Sequence, residues 1–240
     1  MRNAHPSSVW TLRDTLQGSL LSLVAVALLA SAGFGLTREL TRIPANRYFA
    51  LHDTQLEAGE ERHLHKAAEL YARMPAWTQG AVEQRRLGFL RLMEHKNQAS
   101  APTAQTDAQA EIVQILTASL RQEPVHPLTW AYLAEADIMR RGDLSQALRY
   151  LKQSYRVALI EPDFFFYRLD LALQCRAVWD AAFLDVIRTE IKSLFPESGT
   201  NPNTQPFIRA IKSDPRLMAF VTRILKPDEG VFQRFEAKLR

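Results

Sequence analysis

One uncharged apolar run, followed by a long series of amphipathic segments, organises this chain. From Ser19 to Leu36 the sequence reads SLLSLVAVALLASAGFGL, 18 residues without a charge. At 1.5 Å rise per residue such a helix spans about 27 Å, enough for a bilayer core. Thr37 and Arg38 end the run, and Trp10 precedes it at a possible interfacial depth. Leu20 to Leu29 also makes an h-region, and Ala30-Ser31-Ala32 before Gly33 fits a cleavage site, so a signal peptide is the rival reading. Continuation through Phe34 and Leu36 favours a retained anchor. A buried core helix is the third reading, but one so near the terminus should show a polar face. No cysteine follows the h-region, which excludes lipoprotein processing. The expected organisation is a tail over 1–18, a transmembrane helix over 19–36, a juxtamembrane linker over 37–58 and a helical domain over 59–240. Ile43-Pro44 should interrupt any helix leaving the bilayer.

After the linker, apolar residues recur at helical spacing and no alternating strand pattern occurs. Leu64, Ala67, Ala68 and Tyr71 share one face, and Val82, Leu87, Leu90 and Leu92 mark a helix over about 78–96. Asn97 to Gln105 is small and polar and reads as a flexible loop. Thr106 with Gln109 then forms a capping box for a helix whose apolar face is Ile112, Ile115, Leu116 and Leu120. Pro127, Pro162 and Pro196 lie 35 and 34 residues apart, and each interval holds two helical patterns. In the first interval, Trp130, Leu133, Ala134 and Ile138 mark one helix. Gly142 ends it, and Asp143 opens a second with Leu144, Ala147, Leu148, Leu151, Tyr155 and Ala158. The second interval has Asp163 capping Phe166, Leu169, Leu173 and Cys175, and Asp180 capping Phe183, Val186, Ile187, Ile191 and Leu194. Paired helices at this period predict a stacked repeat, with units over 127–161 and 162–196. Short helices over 205–240, one capped by Asp214 ahead of Pro215, read as the closing cap of the stack. The fold class is therefore all-α: an N-terminal transmembrane helix and then an α-solenoid of stacked helix pairs.

Trp130, Leu133-Ala134, Gly142-Asp143, Ala147 and Pro162 together resemble a tetratricopeptide repeat. That family's pattern has Trp, a Leu-Gly step, a Gly-Asp turn, a small Ala and a closing Pro. This chain departs from it. The Trp-to-Gly spacing is one residue too long, Pro162 comes about three late, and the second unit has no Gly-Asp turn, which makes the repeat degenerate. The resemblance implies a concave surface lined by the first helix of each pair, here Leu128, Ala131 and Glu135, and a close helix approach at Ala147. From Glu123 onward the chain is also similar in texture to single-pass accessory proteins of bacterial exopolysaccharide loci.

Composition changes this picture little. The chain has 30 basic and 26 acidic residues, a formal charge of +4, which reads as a small excess spread along the chain and no nucleic-acid footprint. Arg85-Arg86 and Arg140-Arg141 are separate pairs accompanied by Glu83 and Asp143, as on solvated helix faces. One cysteine, Cys175, excludes an internal disulfide framework and a multi-Cys zinc site. Phosphate-loop, dinucleotide, nucleophile-elbow and zinc-protease motifs are absent. Glu60, Glu61, His63 and His65 offer a metal at most one aligned pair, Glu61 and His65, where a structural site needs three or four ligands. Cys175 lies near an apolar face and reads as a small buried hydrophobe. Phe164-Phe165-Phe166-Tyr167 points all round a helix, so one or two rings should meet a neighbour or reach water. Glu135 and Asp137 are two apart and cannot face each other as a catalytic pair.

Catalytic residues, cofactors and metals are therefore not expected. Two classes of role remain. One is a membrane-anchored interaction or scaffold protein, an accessory factor in bacterial cell-envelope or exopolysaccharide assembly. Its partners would be proteins at the membrane, such as polysaccharide polymerase or export components. The other is an enzyme or subunit acting on lipid-linked saccharide or peptidoglycan. Arg2 and Arg13 before the anchor nearly balance Arg38, Arg42 and Arg47 after it. A short tail before a long domain places the tail in the cytoplasm and the C-terminal domain in the periplasm, as a single pass of the bacterial inner membrane.

Overall fold

The computed structural model describes the backbone of residues 12–54, 60–97, 102–141 and 144–240, and side chains at 20, 22–47, 63–96, 107–139 and 144–240. Among the described residues there are eleven α-helices and no strands. Trp10, the Gly142-Asp143 turn, the side chains of Glu60, Glu61, Arg13, Thr106, Arg140 and Arg141, and the first four residues after Asn97 lie outside that description. The helices group into two compact units, Met1–Thr78 and Gln79–Arg240.

The first unit is a helical hairpin. Helix α1 (Leu12–Thr54) is 43 residues long and has Pro44 inside it. Within it, Ser22–Arg47 is long and apolar enough to cross a membrane. Leu20, Leu23, Val24, Val26, Leu28, Leu29, Phe34 and Leu36 are all exposed, unlike the apolar residues of a core helix. The expected interruption at Pro44 and the linker over 37–58 both give way to helix as far as Thr54. Proline removes one backbone donor, and packing holds the turn around it. Helix α2 (Glu60–Ala72) lies against α1. Ala45 is fully buried, and the Tyr71 hydroxyl donates to Asn46 Oδ1 at 2.6 Å. Leu64, Ala67, Ala68 and Tyr71 are buried as their spacing predicted. A 3-10 turn (Ala76–Thr78) follows, with the Trp77 ring 4.9 Å from that of Phe34. Residues 60–78 therefore belong to the same compact unit as α1 and not to the unit that begins at Gln79.

The second unit begins with helices α3 (Ala81–Asn97) and α4 (Pro102–Gln122). Helix α3 starts where Glu83 Oε2 accepts the Gly80 N–H at 2.7 Å, half of a capping box. Glu83 is thus buried and structural, not part of a solvated face. Helix α4 starts at Pro102, inside the stretch expected to be a loop, because proline suits the first helical position. Thr106 is consequently within the helix and not at its start. Gln109 Nε2 lies 2.7 Å from His95 Nε2 and donates to the Met139 carbonyl at 3.2 Å. Ser119 Oγ donates to the Ala81 carbonyl, and Arg85 pairs with Glu123 at 2.7 Å, tying the start of α3 to the end of α4. The two backbones come so close at Gly88 that a Cβ built there would lie 2.5 Å from Leu116 Cδ2.

Helices α5 (Pro127–Arg141) and α6 (Leu144–Val157) form the other close pair. Trp130, half-buried, donates its indole N–H to the Pro124 carbonyl at 2.9 Å and stacks on Tyr150. Ala147 is fully buried. Pro162 opens a 3-10 turn (Pro162–Phe164), and α7 (Phe165–Gln174) follows. Asp163 does not cap α7. The N-cap is Phe164 without a side-chain bond, because the 3-10 turn displaces the helix start. A further 3-10 turn (Arg176–Val178) leads into α8 (Ala181–Lys192).

Asp180 does cap α8, accepting the Phe183 N–H at 2.9 Å and Lys152 Nζ at 2.5 Å. The Lys152 bond, then the Phe183 N–H, holds this carboxyl below its ordinary value. A depressed carboxylate stabilises the fold in full above its unfolded pKa of about 4, and that contribution is lost as pH falls through the folded value. Asp180→Ala should therefore lower the melting midpoint near neutral pH, with the gap to the parent closing in acid. Asp180→Asn should fall between the two. Circular-dichroism melts across a pH series check this, and a gap independent of pH would mean that the charge contributes nothing.

Helices α9 (Thr204–Ser213), α10 (Pro215–Leu225) and α11 (Glu229–Leu239) close the chain. Asp214 caps α10 through the Arg216 and Leu217 N–H groups, as Pro215 at the first position suggested. One apolar core joins α5 to α11, with Phe165, Phe183, Phe195, Phe207, Phe220 and Phe235 buried in it. A smaller one lies between α3, α4 and α5 around Leu92, Leu116 and Leu133.

Candidate functional site

The residues implied as a partner surface turn inward. Ala131 is fully buried and Glu135 nearly so, while Leu128 is half-buried. The first helix of the pair is covered because α3 and α7 both pack on α5. Lys96 Nζ donates to Glu135 Oε1 at 2.6 Å, and the Tyr167 hydroxyl donates to Oε2 at 2.5 Å. Tyr132 stands edge-on to Tyr167, with Phe89 beside it. Burial, then the Glu135 charge, pushes the Tyr167 hydroxyl well above its ordinary value. Both oxygens of Glu135 are engaged, so this cluster locks three helices together and offers no open carboxylate. Ala131 and Glu135 are accordingly covered, and of the three only Leu128 keeps part of its surface exposed.

A second buried network was not foreseen. Arg168 on α7 is 0% exposed. Its Nη1 donates to the Ala158 carbonyl at 2.5 Å and its Nη2 to the Leu159 carbonyl at 3.2 Å, satisfying backbone where α6 has ended. Nη2 also pairs with Glu190 of α8, whose other oxygen accepts the Tyr155 hydroxyl at 2.5 Å. The guanidinium sits over the Tyr155 ring, 4.1 Å from its centroid. Burial pushes the Glu190 carboxyl up, and Arg168 opposes that shift. Three helices meet at this point. The signal in the sequence was one arginine at an otherwise apolar register, three residues from both Phe165 and Leu171.

Cys175 is buried at the end of α7, and burial pushes its thiol up to about 11. At neutral pH it is a thiol, the less nucleophilic form. Among the described residues no group of three or more His, Cys, Asp or Glu is placed to hold a metal. His65 faces Glu69 at 3.4 Å, and Glu69 also pairs with Lys66 at 3.0 Å. In the aromatic run, Phe165 is buried against Phe207, Tyr167 meets Tyr132, and Phe166 reaches water.

Two clefts open on the second unit. One, of about 320 Å³, lies beside the 196–203 loop, and its polar groups are largely spent on backbone. Arg234 Nε donates to the Phe195 carbonyl, Thr204 to that of Leu194 and Asn201 to that of Ser193. The other, of about 330 Å³, is lined by Arg176, Trp179, Leu184, Arg188, Phe220, Arg223 and Ile224.

Compared with protein-family models, with curated proteins and with solved structures, the chain matches none. Its role is therefore read from its own residues.

Proposed function

We propose that this chain is a membrane-anchored helical-repeat interaction protein, an accessory factor in bacterial cell-envelope or exopolysaccharide assembly. It is held in the inner membrane by one pass, with its C-terminal domain in the periplasm. Its partners are proteins at the membrane, of the polysaccharide polymerase or export kind. The observation that carries the reading is the contrast within one chain. A helix whose apolar side chains from Leu20 to Leu36 are exposed precedes helices whose buried carboxylates serve packing. The likeness of the pair α5 and α6 to a tetratricopeptide unit supports a binding role. With Ala131 and Glu135 buried, the contact positions move to the corner between α6 and α7, where Leu159, Ile160 and Phe166 are exposed. An anchor confines such a surface beside membrane partners and raises their effective concentration.

Fractionation tests the anchor. The full chain is expected to stay with membranes through high-salt and alkaline washes, and a periplasm-active reporter after Arg240 is expected to be active. A shortened soluble chain beginning at Gly33, or activity of a cytoplasmic reporter instead, overturns the placement. Crosslinking in cells from position 166 to a co-expressed polysaccharide polymerase, absent from position 131, tests the surface.

A further inference from the structure

The formal excess of positive charge is not spread along the chain. Residues 204–240 hold eight basic and four acidic side chains, and the preceding 203 residues balance at 22 of each. The second cleft takes one of its three arginines, Arg223, from this basic end. Arg176 comes from the 3-10 turn before α8, Arg188 from α8 and Arg223 from α10. Arg188 is paired with Asp185, whereas Arg176 and Arg223 have no ion-pair partner among the described residues. Beneath them lies an apolar floor of Trp179, Leu184, Phe220 and Ile224, with the two rings 5.7 Å apart. Arg176 sits over the Phe220 ring, 4.8 Å from its centroid. A guanidinium held over a ring keeps its in-plane N–H donors for a ligand.

We propose that this cleft binds a phosphoryl group carried on a planar or apolar body. One carboxylate occupies one arginine fork, and several forks around one opening suit the additional oxygens of a phosphate. The cations are all arginine, the side chain whose fork matches phosphate oxygens bidentately. The floor removes the body of the ligand from water. The volume matches the small end of ligand pockets, about 300 Å³. The phosphoryl group is either that of a soluble phosphate ester or that of a lipid headgroup.

Calorimetry on the full chain in phosphatidylcholine nanodiscs, with phenyl phosphate and inorganic phosphate as probes, tests this. Phenyl phosphate is expected to bind, and to bind at least about ten-fold more tightly than inorganic phosphate, which is about 1.4 kcal/mol. Arg223→Gln, at an exposed position, and Arg176→Gln/Arg223→Gln should each weaken it, the double variant by at least about ten-fold, with unchanged helicity. If phosphatidylglycerol in the nanodiscs lowers the affinity for phenyl phosphate, the source is a lipid headgroup. If it does not, the source is a soluble ester. No heat from either probe overturns the proposal, as does equal binding by the double variant. A tetraglutamate peptide that binds more tightly than phenyl phosphate and is lost in the same variants makes the cleft an acidic-peptide site, and the proposal falls. None of these outcomes depends on membrane orientation, so they separate from failure of the scaffold reading.

Discussion

Arg168→Met should destabilise the second unit by about 3–5 kcal/mol, the cost of breaking a buried ion pair from one side. The guanidinium is fully buried and does three things at once. It neutralises Glu190, satisfies the Ala158 and Leu159 carbonyls, and stacks on Tyr155. Methionine fills much of the volume but leaves Glu190 buried with only the Tyr155 hydroxyl for a partner. The Glu190 carboxyl, already pushed up by burial, would rise further. A carboxyl raised in the folded state binds its proton more readily there than in the unfolded chain. Stability of the variant should therefore fall as pH climbs from the ordinary carboxylate range through the folded value, and the penalty should be smallest in acid. Arg168→Met/Glu190→Leu should recover part of the loss, since an apolar replacement of both partners removes the stranded charge. Denaturant unfolding at pH 5 and 8 checks all three statements. If the double variant loses as much as the two single losses added, the residues act independently and the network is not a unit.

Gly88→Val is the second large effect, about 1–3 kcal/mol from overpacking. Gly88→Ala is the sharper test, because two principles disagree on its sign. Helix propensity alone would make alanine a gain of about 0.8–1.0 kcal/mol. The new Cβ, however, meets Leu116 Cδ2 at 2.5 Å and Cγ at 2.7 Å. A surface leucine could swing away, but Leu116 is fully buried among Leu92, Ile112, Leu120 and Leu133. The net result should be a loss. Leu116→Ala alone should cost about 2–5 kcal/mol through the cavity it leaves. In the Gly88→Ala background it should cost less, because the cavity takes up the methyl group. Equilibrium melts of the four proteins close the cycle, and a stabilised Gly88→Ala would mean that the α3 and α4 backbones stand further apart.

Period and caps made much of this fold legible. The apolar faces of α2, α4, α6 and α8 follow from steps of three and four, and Asp180 and Asp214 were found because a cap needs only a side chain and two nearby N–H groups. What stayed hidden depends on partners distant in sequence. The resemblance to a repeat singled out Ala131 and Glu135 on α5, but it says nothing of Lys96 and Tyr167, which arrive from helices 39 and 32 residues away in the chain. The helix through Pro44 likewise depends on Tyr71, 25 residues beyond Asn46. Local signals also competed. Thr106 with Gln109 had the spacing of a capping box, yet Pro102 had already started the helix. The pair α3 and α4 carried a cue that went unused, since the Leu-Gly step quoted for the repeat pattern also stands at Leu87-Gly88.

The unbroken α1 also has a mechanical meaning. Its 43 residues make a rod of about 65 Å. The weakest rung of its ladder is at Pro44, about 12 Å beyond Leu36. A bare proline there would act as a universal joint, and tilting of the apolar segment would be absorbed within one turn. The hairpin splints that joint, because buried Ala45 and the Asn46–Tyr71 bond sit immediately after it. The helix is thereby stiffened at its most compliant point, so a tilt or rotation of its apolar segment carries through to α2 as a movement of the whole hairpin.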